Sequence, residues 1–419
     1  VINAGPGLLD YTNAANPADF YAAGGVSRFS GADRNFDTGI LRIYGGGVLE
    51  IGADLSNTVD GDFVRAVGTA AGQVSLLGNG GFSAHGADRV VALGGVGTAA
   101  ALTWGSTSFL TGNGGDNNYT FMLGSASSTH TLEFQNAINL GSRERRVEVA
   151  DGVNAGNVDA RLTGVLSGAG GSLIKEGAGR LEISAASTYS GATRVNAGSL
   201  LVSATGRTGT GAVTVAANAS LMGSGVVQGS SFALASNATM HAGNGTLASN
   251  IGTLAFQTTA AASFEIHNGS LVMLDLATST NQAMIDAVYN AYVDAFSGTG
   301  SGSHDLLTFD GAAGSTLSFS GRLSVRPGTS FSASYGQVFN LLDWGTLVGA
   351  DFSGFNVGTN YRSGADDDLL QFDLPELTGG LVWDVSRFTT SGVIVVIPEP
   401  GRTLLLMLGL LGLFMRRRR

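Results

Sequence analysis

The residues that most often do chemistry are poorly placed for it along this chain. His85, His130, His241, His267 and His304 lie far apart, with no His-x-x-His or His-Glu-x-x-His pair to fold two imidazoles onto one metal. Surface or turn positions are expected for all five, and a zinc hydrolase is unsupported. Cysteine is absent, which removes thiol nucleophiles, thiolate metal sites and disulfides together. Gly112-Asn113-Gly114-Gly115-Asp116-Asn117 has the make-up of a calcium-holding turn, but it occurs once and lacks a tandem nonapeptide repeat, so a plain loop is expected. Asp366-Asp367-Asp368 reads as a solvated turn between strands. The glycine-rich stretches contain no Gly-Lys-Ser/Thr, so no phosphate loop is indicated. Neither a metal site nor a cofactor is expected.

One stretch offers acid–base groups in number: Arg143, Glu144, Arg145, Arg146, Glu148, Asp151 and Asp159. Cleavage of a glycosidic bond by two carboxyls needs them about 5–10 Å apart, and stacked strands can hold them so. The charges here alternate with apolar residues, as an ordinary solvent face does. The expectation is therefore a non-enzymatic protein, with a polysaccharide lyase or glycoside hydrolase as the rival. Activity on uronate polymers with calcium separates the two.

The elements that would carry these residues follow from composition and period. The chain has 419 residues, 22 Lys+Arg against 32 Asp+Glu and a net charge of −10, which excludes a nucleic-acid binder resting on overall basicity. Glycine is high at 65 residues and charged residues are few at 13%, but 43% hydrophobic residues and a mean hydropathy of +0.21 supply a core, so the chain should fold. The six prolines stand at 6, 17, 327, 375, 398 and 400, leaving 309 consecutive residues that keep every backbone N–H, as a long ladder requires. Short alternating segments such as Leu41-Arg42-Ile43, Val48-Leu49-Glu50-Ile51 and Arg180-Leu181-Glu182-Ile183 recur between Gly, Asn and Ser turns.

These segments repeat. Val213-Thr214-Val215-Ala216-Ala217-Asn218-Ala219-Ser220-Leu221 aligns with Phe232-Ala233-Leu234-Ala235-Ser236-Asn237-Ala238-Thr239-Met240 at an offset of 19. Gly198-Ser199-Leu200-Leu201 precedes Ala219-Ser220-Leu221-Met222 by 21, and Asn268-Gly269-Ser270-Leu271 supplies a later copy. A variable period near 20 with short strands predicts an all-β chain, a right-handed parallel β-helix of about 15 coils and about 70 Å, with Asn and Gly at corners that need positive φ. Ala283 to Phe296 departs from this, with Ile285, Val288, Tyr289, Tyr292 and Phe296 at helical spacing, and predicts a short amphipathic insertion.

Residues 130–202 resemble the autotransporter-associated β-strand repeat. The likeness runs from Leu140-Gly141-Ser142 through Leu162-Thr163-Gly164-Val165-Leu166-Ser167-Gly168 to Leu173-Ile174-Lys175-Glu176-Gly177-Ala178-Gly179-Arg180-Leu181-Glu182-Ile183, and is completed by Thr188-Tyr189-Ser190-Gly191-Ala192-Thr193-Arg194-Val195-Asn196-Ala197-Gly198-Ser199-Leu200. It implies an exported surface β-solenoid. A complete autotransporter also needs a C-terminal barrel of roughly ten-residue strands. Residues 301–396 are too few for one, so a passenger-like fragment is the alternative.

The last residues carry a second resemblance. Pro398-Glu399-Pro400, the apolar run Thr403 to Met415 and Arg416-Arg417-Arg418-Arg419 follow one another in the order of a PEP-CTERM sorting signal, which they resemble. The resemblance implies recognition by an exosortase-type membrane enzyme, transient tethering at the inner membrane and release to the surface or matrix of a Gram-negative-type cell. The 13-residue run, as a short hydrophobic helix, spans roughly 20 Å of a roughly 30 Å hydrocarbon core, which suits a temporary anchor, and the arginines would stay inside. Removing Gly401 onward takes away five arginines and no acid, leaving a net charge of −15. The start at Val1 agrees with a removed export signal or a fragment.

The expected plan is a β-rich region over 1–129, repeat solenoid over 130–276, helical insertion over 277–299, closing coils and cap over 300–396 and the sorting signal over 397–419. Its expected role is structural or adhesive, with extracellular polysaccharide or neighbouring surface proteins as outer partners and no nucleic acid.

Overall fold

In the computed structural model the described residues are 2–11, 19–29, 39–52, 62–94, 99–106, 108–112, 118–153, 158–245, 251–277, 304–328, 331–364 and 370–399. The predicted insertion at 283–296, the turns at 113–117 and 366–368, Pro400 and the whole apolar and arginine tail lie outside them.

The fold is a parallel β-helix. One sheet of 13 parallel strands runs from Leu8–Tyr11 to Gly349–Asp351, and a second of 11 runs from Phe63–Arg65 to Phe372–Asp373. Three shorter parallel sheets of four, three and four strands make up the third face. Twelve steps of about 4.8 Å give the longest sheet a height of about 58 Å. Residues before 130 feed the same two long sheets as the repeat does.

Alternation decides what faces inward. On the second face Leu132, Ala160, Leu181, Leu200, Leu221, Met240, Val272, Leu323 and Phe372 are successive partners and form one buried column. A single coil presents only one such residue to each neighbour, so the apolar column exists only when coils stack.

The offset of 19 is observed as strand register: Val213 pairs with Phe232 and Leu221 with Met240. The corner asparagines Asn218 and Asn237 both adopt positive φ, 64° and 62°, and the Asn218 amide donates to the Asn237 carbonyl at 3.0 Å. The later copy is slipped by one. Leu271 pairs with Thr239, and Val272 takes the inward place. The left-handed corner residue there is Gly269 (φ 81°), not Asn268, because glycine adopts that conformation at no steric cost; every following residue moves one position.

The chain closes with antiparallel strands. Val338–Asn340, Val393–Pro398, Leu381–Asp384 and Tyr361–Arg362 form a four-stranded sheet. The single helical turn Phe388–Ser391 buries Phe388 against Phe352, Phe355 and Phe372, which plugs the core at this end.

Candidate functional site

The charged patch is divided between the inside and the outside of the wall. Arg145 points inward: its Nε donates to the Leu140 carbonyl at 2.7 Å and its guanidinium lies 5.7 Å from the Trp104 ring centre. Asp159 is also buried, accepting the amides of Gly152 (3.0 Å) and Arg180 (2.7 Å); burial raises its pKa against those bonds. Glu144 and Arg146 project outward and pair with Arg194 and Glu176. On the second face Glu133, Arg161 and Glu182 are ladder partners, with Arg161 2.8 Å from Glu182 and 3.8 Å from Glu133. The outward-facing charges Glu144, Arg146, Glu133, Arg161 and Glu182 are each paired across coils with a group of opposite sign.

Lys175 departs further from the alternation. It fills an inward column between Val147 and Val195, and its ammonium donates to the carbonyls of Glu176, Gly177 and Ala197 at 2.9, 2.7 and 3.0 Å. Burial lowers its pKa to about 8, against the pull of Asp159, Glu148 and Glu176.

The histidine expectation needs correction at two positions. His304 is buried and its Nε2 bonds the Asn340 carbonyl at 2.9 Å; burial lowers its pKa, opposed by that bond. His241 is buried in a group of opposite charges. Thr239–Ala242 and Leu271–Leu276 are neighbouring strands of the second face and supply His241 and Asp275, while Asp305 immediately precedes the third-face strand Leu306–Asp310. His241 Nε2 is 3.1 Å from Asp275 Oδ2 and 3.4 Å from Asp305 Oδ2. Arg326, the ladder partner of Asp275, reaches Asp275 Oδ1 at 2.7 Å through Nε and Asp275 Oδ2 at 3.0 Å through Nη2.

Burial would lower the pKa of His241, but the two aspartates outweigh it and the ring is raised. Burial would raise Asp275, yet His241 and Arg326 bring it below its ordinary value. Asp305 stays raised by burial despite bonds from His241, Gly252 and Asp275. Among the described residues this is the set of His and acidic groups close enough to share one ion. No local motif announces it, because its members stand 34 and 30 residues apart across segments of unequal length.

The sorting triplet begins where the cap ends. Pro398 pairs with Leu381 as the last residue of its strand, and the Glu399 amide donates to the Gly380 carbonyl at 2.9 Å. Both side chains are exposed. Pro400 and Arg416, Arg417, Arg418 and Arg419 lie outside the described residues. Among those residues no helix is long and apolar enough to cross a membrane.

A family model, the passenger-associated-transport-repeat, matches residues 173–202. That span opens in the first-face strand Ser172–Glu176, passes through Arg180–Ile183 and Thr193–Val195, and closes with Ser199–Val202. It therefore covers one complete coil and the beginning of the next. No curated protein and no solved structure matches the chain.

Proposed function

We propose that this chain is an exported β-solenoid of a Gram-negative-type cell surface or extracellular matrix that acts by presenting its coil faces and not by catalysis. The observation that carries this reading is the coincidence of the transport repeat at 173–202 with one coil of an unbroken parallel ladder. Mutual neutralisation of Glu144 with Arg194, Arg146 with Glu176 and Arg161 with Glu182 supports a presenting surface over an enzyme. Extracellular polysaccharide or neighbouring surface proteins are its partners, engaged through hydroxyl and amide side chains on the outer faces.

Delivery runs through the Pro398-Glu399-Pro400 triplet and an exosortase-type enzyme, with transient tethering at the inner membrane. The position of Glu399 supports this: it is exposed and follows the last cap strand directly, so cleavage beyond it leaves the cap's pairing intact. Mass spectrometry of the C-terminus from fractionated cells tests the route. Extracellular protein should lack Arg416 to Arg419, and an intact arginine tail outside the cell refutes the sorting step.

The same repeat favours a second reading, a passenger-like piece of an autotransporter. Deleting residues 400–419 distinguishes them, since export through the sorting route is then lost and export as a passenger is not.

A further inference from the structure

His241 Nε2 occupies a contradictory position. It lies 3.1 and 3.4 Å from two carboxylate oxygens and also 2.9 Å from Arg326 Nη2. Carrying a proton, it faces a guanidinium donor; without one, it faces two anions. The arrangement becomes consistent when the nitrogen and both oxygens act together as lone-pair donors to one cation. In the structure the Arg326 guanidinium approaches that role from the side.

We propose that this cluster binds a divalent first-row transition ion of the Zn2+ class, through His241 Nε2 and one oxygen each of Asp275 and Asp305, with Arg326 displaced toward solvent. Imidazole with two carboxylates is a donor set such ions accept. Bonds of about 2.0–2.1 Å in tetrahedral geometry put ligand atoms about 3.3 Å apart, and the two separations at His241 straddle that value. The Asp305 carboxylate is fixed before an ion arrives. Asp305 Oδ1 accepts the Gly252 amide at 2.8 Å and Asp305 Oδ2 accepts the Asp275 amide at 2.9 Å, outer-shell bonds of the kind that orient metal ligands.

Charge and access agree with the exchange. Two aspartates are balanced by one guanidinium and the imidazole proton they favour, and a divalent ion replaces both of those positive charges, leaving the same net charge of zero. The three ligand side chains are at most 4% exposed and that of Arg326 is 25% exposed, so Arg326 is both the competing cation and the way in.

The test uses the purified full chain, stripped of metal and titrated with Zn2+ by calorimetry and with Co2+ by visible absorption. The wild type should bind one equivalent, with the intense ligand-field bands of four-coordinate Co2+. His241→Ala and Asp305→Asn should each weaken binding beyond the about 10–100-fold lost on removing an outer-shell partner. Arg326→Gln, at the rim, should bind about tenfold more tightly because a competing charge is gone. Absence of stoichiometric binding to both wild type and Arg326→Gln overturns the proposal. So does a folded His241→Ala that keeps its equivalent. If the core variants fail to fold, Arg326→Gln alone decides: tighter binding supports the site, and equal or weaker binding overturns it.

Discussion

Gly198 stands at a corner between the first and second faces with φ 61°, and a Cβ there would lie 2.5 Å from the carbonyl oxygens of both Gly177 and Gly179. Those atoms are backbone of the preceding coil and cannot retreat without breaking the ladder. Gly198→Ala should therefore cost about 2 kcal/mol or more, read from urea midpoints, while Asn218→Gly, at a corner of the same conformation, should change stability by only a few tenths of a kcal/mol. Lys175 gives a pH signature. Its ammonium titrates at about 8 in the folded protein against 10.5 in the unfolded chain. Below pH 8 both states hold the proton. Between 8 and 10.5 the unfolded state binds more, so stability rises with pH across that window and levels above it. The stability difference between wild type and Lys175→Met, measured by denaturant titration, should climb over the same window, and a flat or falling difference contradicts the assignment.

At the scale of strands, the proline-free interval predicts where proline is least tolerated. Thr214 is exposed in Val213–Val215, a strand paired on both sides by Thr193–Val195 and Phe232–Leu234. Thr214→Pro removes an N–H and forces φ, and should cost about 3 kcal/mol or more, whereas Thr214→Val should stay within about 0.5 kcal/mol. Thermal unfolding followed by circular dichroism separates the two. Strand identity and the corners at Asn218 and Asn237 were legible in the sequence because period and positive-φ residue recur together. The slip at Leu271 was not, since Asn268-Gly269-Ser270-Leu271 imitates Asn218-Ala219-Ser220-Leu221 as a string while glycine takes the corner one residue later. The inward Lys175 and Arg145 break the alternation from which faces are read. The group around His241 was invisible for another reason: stacking sets which coils meet, but coil length varies, and no fixed spacing links His241 to Asp275 or Asp305.

For the molecule as a whole, nearest-neighbour stacking makes coils separable units. Ser199 pairs with Ser220, so deleting residues 199–219 brings Ser220 into the place of Ser199 and Phe232 into that of Val213. The shortened protein should fold with one cooperative transition and a modestly lower midpoint; loss of β-sheet circular dichroism would contradict the modular account.

The far end sets a different limit. Among the described residues, Phe388, wedged among Phe352, Phe355 and Phe372, covers the apolar core at this end. A copy approaching along the axis there would meet this plug and the closing antiparallel sheet before any apolar core, so stacking on this tip would first have to unseat Phe388.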